Sequence, residues 1–347
     1  MIMIFSKLSE KSRVILGVAL FVVIFAGLLI AASFTDLRVS EILTENALAD
    51  GEYLSHDVFG VTLEVFGSSP IYVIAAICVV LLMLYVWRTL KLRPMREIFC
   101  AVLLAGSVVA YWFFFDDMFG YIAEHARTEF TGAEYVEMVM TVIAVICALM
   151  ASAVTIAAFW RIKDETLKKL MKFVIAFVIM AIVANVLIMI IKDPVGRMRY
   201  RAMNSELGKE LGGFTANFQN WYESRGGQPE EWSDMFKEMY GVSDAFKSFP
   251  SGHTCAAGMT YALIMLPDVL GTKNKGLRAL CWIFPVAFTG LVAISRIVVG
   301  AHFFSDVLMG GTIAFVCMMF AREAVIFRFE HFKCLKKGYT PAPEEEE

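Results

Sequence analysis

The chain has 347 residues, 58% of them hydrophobic and only 19% charged, and its mean hydropathy is +0.64. A water-soluble domain carries about 25% charged residues, so this composition excludes an ordinary soluble globular protein and points to one integral to a membrane. The net charge of −3 is too small to argue for a nucleic-acid or strongly acidic partner.

Eight apolar runs, at about 13–33, 70–88, 98–115, 136–160, 173–191, 253–270, 277–296 and 302–322, are long enough or nearly so to cross a hydrocarbon core that takes about 20 helical residues. The predicted fold class is therefore all-α: a polytopic membrane helix bundle of about eight transmembrane helices. Its connections sort by charge. Basic segments hold Lys7, Lys11 and Arg13, then Arg88, Lys91, Arg93 and Arg96, then Arg161 to Lys172, then Lys273 to Arg278, and finally the stretch from Arg322 to Lys337. Acidic segments alternate with them: Asp36, Glu41, Glu45, Asp50, Glu52, Asp57 and Glu64 in one, and Asp116, Asp117, Glu124, Glu129 and Glu134 in another. The excess of Lys and Arg on cytoplasmic loops then places both termini in the cytoplasm.

The first run ends in the small residues Ala31, Ala32 and Ser33, as a cleaved signal would, but it exceeds the usual apolar length of about 7–15 residues. A retained helix is expected. The acidic end, PAPEEEE, reads as a short disordered tail. Seven cysteines, at 78, 100, 147, 255, 281, 317 and 334, show no metal-ligand spacing and fall almost all in apolar runs, so buried thiols without disulfides or zinc are expected.

One long segment, about 193–252, is not apolar. It carries Phe214, Phe218, Trp221 and Tyr222, then Trp232, Phe236 and Tyr240. Gln228-Pro229-Glu230-Glu231 reads as a helix start. Two readings stand level for these aromatics: amphipathic helices in the outer headgroup layer, or packing of the loop onto the bundle. Trp112 to Phe115 read as an interfacial aromatic girdle, and Met259 and Met265 as core filler.

Three polar clusters fall at one predicted membrane face, the outer one. Lys192 closes the fifth run and is followed by KDPVGRMRYR's Arg197, Arg199 and Arg201; FPSGHT, with Pro250, Ser251, Gly252 and His253, opens the sixth; SRIVVGAHFFSD, with Ser295, Arg296, His302 and Asp306, joins the seventh to the eighth. Charged residues at a helix centre cost about 2.5–3.5 kcal/mol each on insertion scales, so their grouping calls for a use. Lys192, Arg199 and Arg296 supply three cations, enough for a phosphate dianion and its developing charge. Ser251 and Gly252 precede a helix whose free amides can cradle an oxyanion. His302 and Asp306 lie one helical turn apart, where a carboxylate can fix an imidazole's tautomer. Two histidines supply an acid and a nucleophile or base. No carboxylate cluster forms a magnesium or calcium cage, so the site is expected to work without a metal or other cofactor.

These clusters resemble the signature of the type 2 phosphatidic acid phosphatase superfamily: lysine, six residues and Arg-Pro; then Pro-Ser-Gly-His; then Ser-Arg, five residues, His, three residues and Asp. Here it reads Lys192 to Arg199, Pro250 to His253, and Ser295-Arg296 to His302 to Asp306. The resemblance implies that His302 is the nucleophile, forming a phosphohistidine, with Asp306 orienting it. It implies that His253 protonates the leaving oxygen and that Lys192, Arg199, Ser251, Gly252 and Arg296 hold the phosphoryl group. Two departures stand out. Tyr200 replaces the proline after the first arginine, so Arg197 or Arg201 could share the task of Arg199. The family core has six crossings, and the surplus is most simply an inserted hairpin at about 98–160.

The expected organisation is an N-terminal membrane part (1–172) containing that hairpin, a catalytic core (173–322) with the outer loop 193–252, and a cytoplasmic tail (323–347). The expected activity is hydrolysis of a lipid phosphate or diphosphate at the extracytoplasmic face of a plasma or inner membrane. Phosphatidic acid, phosphatidylglycerol phosphate and a polyprenyl diphosphate such as undecaprenyl diphosphate are the candidate substrates, and membrane lipids the other partners. The alternatives are a lipid headgroup phosphotransferase using the same site and a catalytically idle transport or binding relative. His56, His125 and His331 read as surface residues outside the motifs.

Overall fold

The computed structural model describes residues 9–126 and 133–335. Among these residues the regular structure is helical, apart from one isolated bridge between Gly51 and Ser205. Among the described residues, seven helices are long and apolar enough to cross a membrane. The acidic tail, Lys7 and the side chains of Glu124, His125, Glu129 and Glu134 lie outside what is described.

Helix α1 (Glu10–Thr44) runs unbroken through Ala31–Ser33. The next apolar span, Val58–Thr89, is divided at Ser68 into α2 (Val58–Gly67), capped by Asp57 accepting from Gly60 N at 2.7 Å, and α3 (Ser69–Thr89). The expected hairpin is α4 (Arg93–Ala126) and α5 (Ala133–Phe159). It is joined by hydroxyl pairs, Ser107 to Ser152 at 2.8 Å and Tyr111 to Thr155 at 2.7 Å, as suits helices without a hydrophobic force between them in lipid. Trp112, Phe114 and Phe115 pack half-buried around Tyr111, Ala76 and Ala148, while Phe113 faces outward.

Helix α6 (Asp164–Val195) ends at Gly196, whose φ of 59° is left-handed and whose added Cβ would lie 2.2 Å from the carbonyl oxygen of Gly227. Only glycine suits both demands. Short helices α7 (Tyr200–Asn204), α8 (Glu206–Glu210) and α9 (Gly213–Asn217) follow, then α10 (Glu230–Tyr240), which starts at the predicted QPEE signal with Pro229 at its cap. The sixth expected crossing is three contiguous pieces: α11 (Gly252–Ala257), a 3₁₀ stretch Gly258–Met265, and α12 (Leu266–Leu270). The larger 3₁₀ rise of about 2.0 Å per residue stretches this run to roughly 32 Å, near the bilayer core thickness. Helices α13 (Lys275–Val298) and α14 (Phe304–Ala321) complete the bundle; a π-helical stretch, Arg322–Phe327, and α15 (Glu330–Lys333) follow.

Two cores result. One lies within the bundle, where Leu84, Phe177, Met180, Met259, Met265 and Met318 are buried together. The other lies over one end of it: Leu48, Tyr53, Met198, Phe236, Phe246 and Phe303 are buried, with Phe214, Phe218, Trp232 and Tyr240 packed against them. The aromatics of the outer segment thus build a cap core over the third motif, the second of the two readings above; Tyr222 alone among those named is strongly exposed, at 60%. Large apolar side chains such as Val23, Phe34, Ile98, Val154 and Ile190 point outward on the long helices, an arrangement that hydrocarbon accommodates and water does not.

Candidate active site

The three motifs meet beneath the cap core. Lys192 sits in the last turn of α6, Arg199 is the extended N-cap of α7, and Tyr200 takes the first helical position. That position favours proline because its N–H has no helical partner. Tyr200 keeps the turn and adds ring contacts to Phe214 and Phe303. Ser251 caps α11, Ser295 and Arg296 close α13, and Asp306 lies in the first turn of α14. Between α13 and α14, Gly300 has φ 67° and the N–H groups of Ala301 and His302 both donate to the Arg296 carbonyl, at 3.0 and 3.1 Å. The backbone therefore ties His302 to Arg296.

His302 is buried, with Nδ1 2.6 Å from the Ser248 carbonyl oxygen and 3.7 Å from Asp306 Oδ2. Both neighbours can only accept, so Nδ1 carries the proton and Nε2 keeps a free lone pair. Burial pushes the imidazole down to about 3, with the Asp306 carboxylate pulling the other way and the Arg199 and Lys192 charges adding to the fall. The ring is therefore neutral at ordinary pH. Its closest holder is the Ser248 carbonyl. Asp306 acts largely through that neighbour, accepting from Ser248 Oγ at 2.5 Å, from Phe303 N at 2.8 Å and from Arg197 Nη1 at 2.6 Å.

Arg197 is fully engaged elsewhere than in the role weighed for it beside Arg199. It pairs with Asp306 and, at 3.0 Å, with Asp36 of α1; it donates to Ser305 Oγ and to the Gln219 carbonyl, both at 2.8 Å, and lies 4.1 Å over the Phe303 ring. Asp36 also accepts from Ser305, through N at 2.8 Å and through Oγ.

Among the cations, Arg199 Nη2 lies 2.6 Å from Asp244 Oδ2, and Arg296 Nη2 lies 2.7 Å from Glu64 Oε1. Arg201 is 3.4 Å from the same Glu64 oxygen and 4.8 Å over the Tyr53 ring. Burial pushes the Asp244 carboxyl up, but Arg199 and Arg201 outweigh it and hold it below the usual carboxylate range. Several buried atoms have no hydrogen-bond partner among the described residues: Arg199 Nε, Arg296 Nε and Nη1, and His253 Nε2. Such groups are costly unless a ligand or water meets them. Ser251 Oγ is spent on its own helix, accepting from Thr254 N at 3.3 Å, and Ser251 N donates to the Asp306 carbonyl at 3.0 Å. The first-turn amides of Gly252 and His253 remain, since no helix carbonyl can take them. A Cβ on Gly252 would sit 3.4 Å from Lys192 Nζ, so glycine lets the ammonium come close. The His253 ring stands edge-on to Tyr121 of α4, centroids 5.3 Å apart. A cleft of about 410 Å³, bounded by Asp117, Tyr121, Arg201 and Asp244, opens beside it. A second, of about 350 Å³, is bounded by Lys192, Gln228, Phe246 and Lys247.

The family model described as PAP2 superfamily matches residues 172–329. This segment belongs to the PAP2 superfamily. The match contains all three motifs and leaves α1 to α5 outside it. No curated protein and no solved structure matches the chain significantly.

The PAP2 segment is completed by residues that sequence reading placed elsewhere. Asp36 and Glu64, assigned to an acidic loop, are 2% and 1% exposed within helices. Their sequence signal was an acid on an apolar helix, which lipid or a core tolerates only when paired. Asp244 and the Ser248 carbonyl had none. Of the histidines outside the motifs, His56 is exposed and His331 pairs with Glu323 at 3.0 Å.

Proposed function

We propose that this protein is a membrane phosphatase that removes phosphate from a lipid phosphate or diphosphate at the extracytoplasmic face, with the lipid tail left in the bilayer. The observation that carries this reading is the His302 tautomer: Nδ1 is held by the Ser248 carbonyl, so Nε2 is the free atom, in a site where buried donors of Arg199 and Arg296 lack protein partners. His302 Nε2 attacks phosphorus as the bond to the leaving oxygen breaks, and His253 gives that oxygen its proton. Water then attacks the phosphohistidine, His253 takes the water's proton, and inorganic phosphate leaves. Lys192, Arg199, Arg296 and the first-turn amides of α11 hold the equatorial oxygens, where charge builds up. No step calls on a metal.

With the broken helix Gly252–Leu270 counted as a crossing there are eight among the described residues, and the alternation of basic and acidic connections supports both termini in the cytoplasm. The hairpin of α4 and α5 is then an addition to a six-helix core, and its Tyr121 forms a wall of the site.

The test is phosphate release by the purified chain in detergent, with chelator present, from phosphatidic acid, phosphatidylglycerol phosphate and a polyprenyl diphosphate. Release from at least one, lost in His302→Ala, is expected. Equal release by that variant, or none by the parent, refutes the reading.

A further inference from the structure

Helix α2 lies outside the PAP2 segment, yet it packs on α13 at the phosphate site. Gly60, Glu64 and Gly67 are spaced four and three residues apart, on one face of α2. A Cβ on Gly60 would lie 2.4 Å from Val299 Cγ1, and one on Gly67 2.9 Å from Val292 Cγ1. Val292 and Arg296 on α13 and Val299 at its C-cap repeat the same spacing, so the two helices run antiparallel with matched faces. The glycines let the backbones close on either side of one pair, Glu64 Oε1 to Arg296 Nη2, at 2.7 Å and with both side chains out of solvent.

That pair decides which way the guanidinium faces. Glu64 takes one terminal nitrogen, and Nε and Nη1 of Arg296 are left buried without a partner among the described residues. With Nη2 held by Glu64, Nε and Nη1 each keep a separate charged donor that a phosphoryl oxygen can accept from. Glu64 also lies 3.4 Å from Arg201 Nη1, so the carboxylate is itself held in place from a second side. A lone arginine at a helix end has many rotamers; one clamped at Nη2 between two close-packed helices has few, and the ordering is complete before the anion arrives.

We infer that Glu64 is a positioning residue for the phosphoryl group: it clamps Arg296 at Nη2 and so fixes the guanidinium, whose remaining donors are left for the anion, making α2 a working part of the active site. This rests on the phosphatase reading above, and its test separates the two. Orthovanadate serves as the phosphoryl probe, bound by the purified full-length chain and followed by tryptophan fluorescence, alongside phosphate release from phosphatidic acid. Glu64→Gln keeps the shape of the side chain and loses the charge. It should weaken orthovanadate binding and lower kcat/KM by about tenfold, the scale of a hydrogen bond to a charged group. In an Arg296→Ala background, where Lys192 and Arg199 still bind the anion, the same change should have little further effect, because residues that act through one another are not additive. Equal losses in both backgrounds, or no loss in either, overturn the inference. So does a Glu64→Gln protein that melts far lower while its folded fraction binds orthovanadate unchanged. Orthovanadate binding by a parent that releases no phosphate counts against the phosphatase reading alone.

Discussion

Arg197 and Asp306 meet at 2.6 Å with neither side chain exposed to solvent. The arginine of the first motif region and the aspartate of the third are thus one buried unit, and Asp36 joins it from α1 at 3.0 Å. The unit carries two carboxylates to one guanidinium, and Ser248, Ser305 and Phe303 supply the remaining donors. Removing the cation would leave both carboxylates buried without an ion partner. Arg197→Met should therefore lose about 3–5 kcal/mol of stability. Arg197→Lys should recover little of it, since one ammonium cannot reproduce a fork shared among Asp36, Asp306, Ser305 and the Gln219 carbonyl. Thermal unfolding in detergent measures both.

His302 links the site to acid stability. Its folded value is lowered from 6.5 to about 3, so between those limits the unfolded chain binds a proton that the folded protein refuses. Stability present above pH 6.5 should fall as pH drops through that window. His302→Asn should flatten the difference between unfolding temperatures at pH 7 and pH 4, and should lower phosphate release at least about a thousandfold, as loss of a nucleophile does.

On the proposed function, Asp244 should compete with phosphate for Arg199. Its Oδ2 holds Arg199 Nη2 at 2.6 Å, a contact that a phosphoryl oxygen would also seek. Asp244→Asn removes the competing charge and should tighten inhibition by inorganic phosphate by roughly three- to tenfold. A weaker inhibition constant would show instead that Asp244 orients Arg199 as Glu64 orients Arg296.

Gly310 fixes the distance between α14 and the Pro-Ser-Gly-His turn. A Cβ there would fall 2.3 Å from the Ser251 carbonyl oxygen, and backbone cannot yield as a flexible side chain can. Gly310→Ala should cost about 1–3 kcal/mol, the usual scale of overpacking, and should lower kcat through displacement of His253 while detergent-solubilised protein still folds. Unfolding temperature and kcat measured on one preparation check both.

The membrane class, the long helices and the three motifs were all legible in the chain. Apolar runs of spanning length follow from composition alone, and Lys192, Arg199, His253, Arg296, His302 and Asp306 announce themselves by type and spacing. Even the replacement of the motif proline by Tyr200 made local sense once its helical position was known. The outer-segment aromatics were different. Phe236 and Trp232 suit a headgroup layer or a core equally well, because amphipathic spacing names a face and says nothing of what covers it.

What the sequence determined by itself was the chemistry on offer: cations, two histidines and a carboxylate at the ends of apolar runs, a pattern too costly in lipid to be idle. What only the tertiary structure decided was how those groups are aimed. Arg296 is held by Glu64 and Arg197 by Asp36, and His302 Nδ1 is fixed first by the Ser248 carbonyl. Each partner lies far away along the chain, and a carboxylate in an acidic stretch looks the same to sequence whether it is solvated or buried. Only close packing, such as that of Gly60 and Gly67 against α13, removes the water that would otherwise answer its charge and makes a distant arginine its necessary partner.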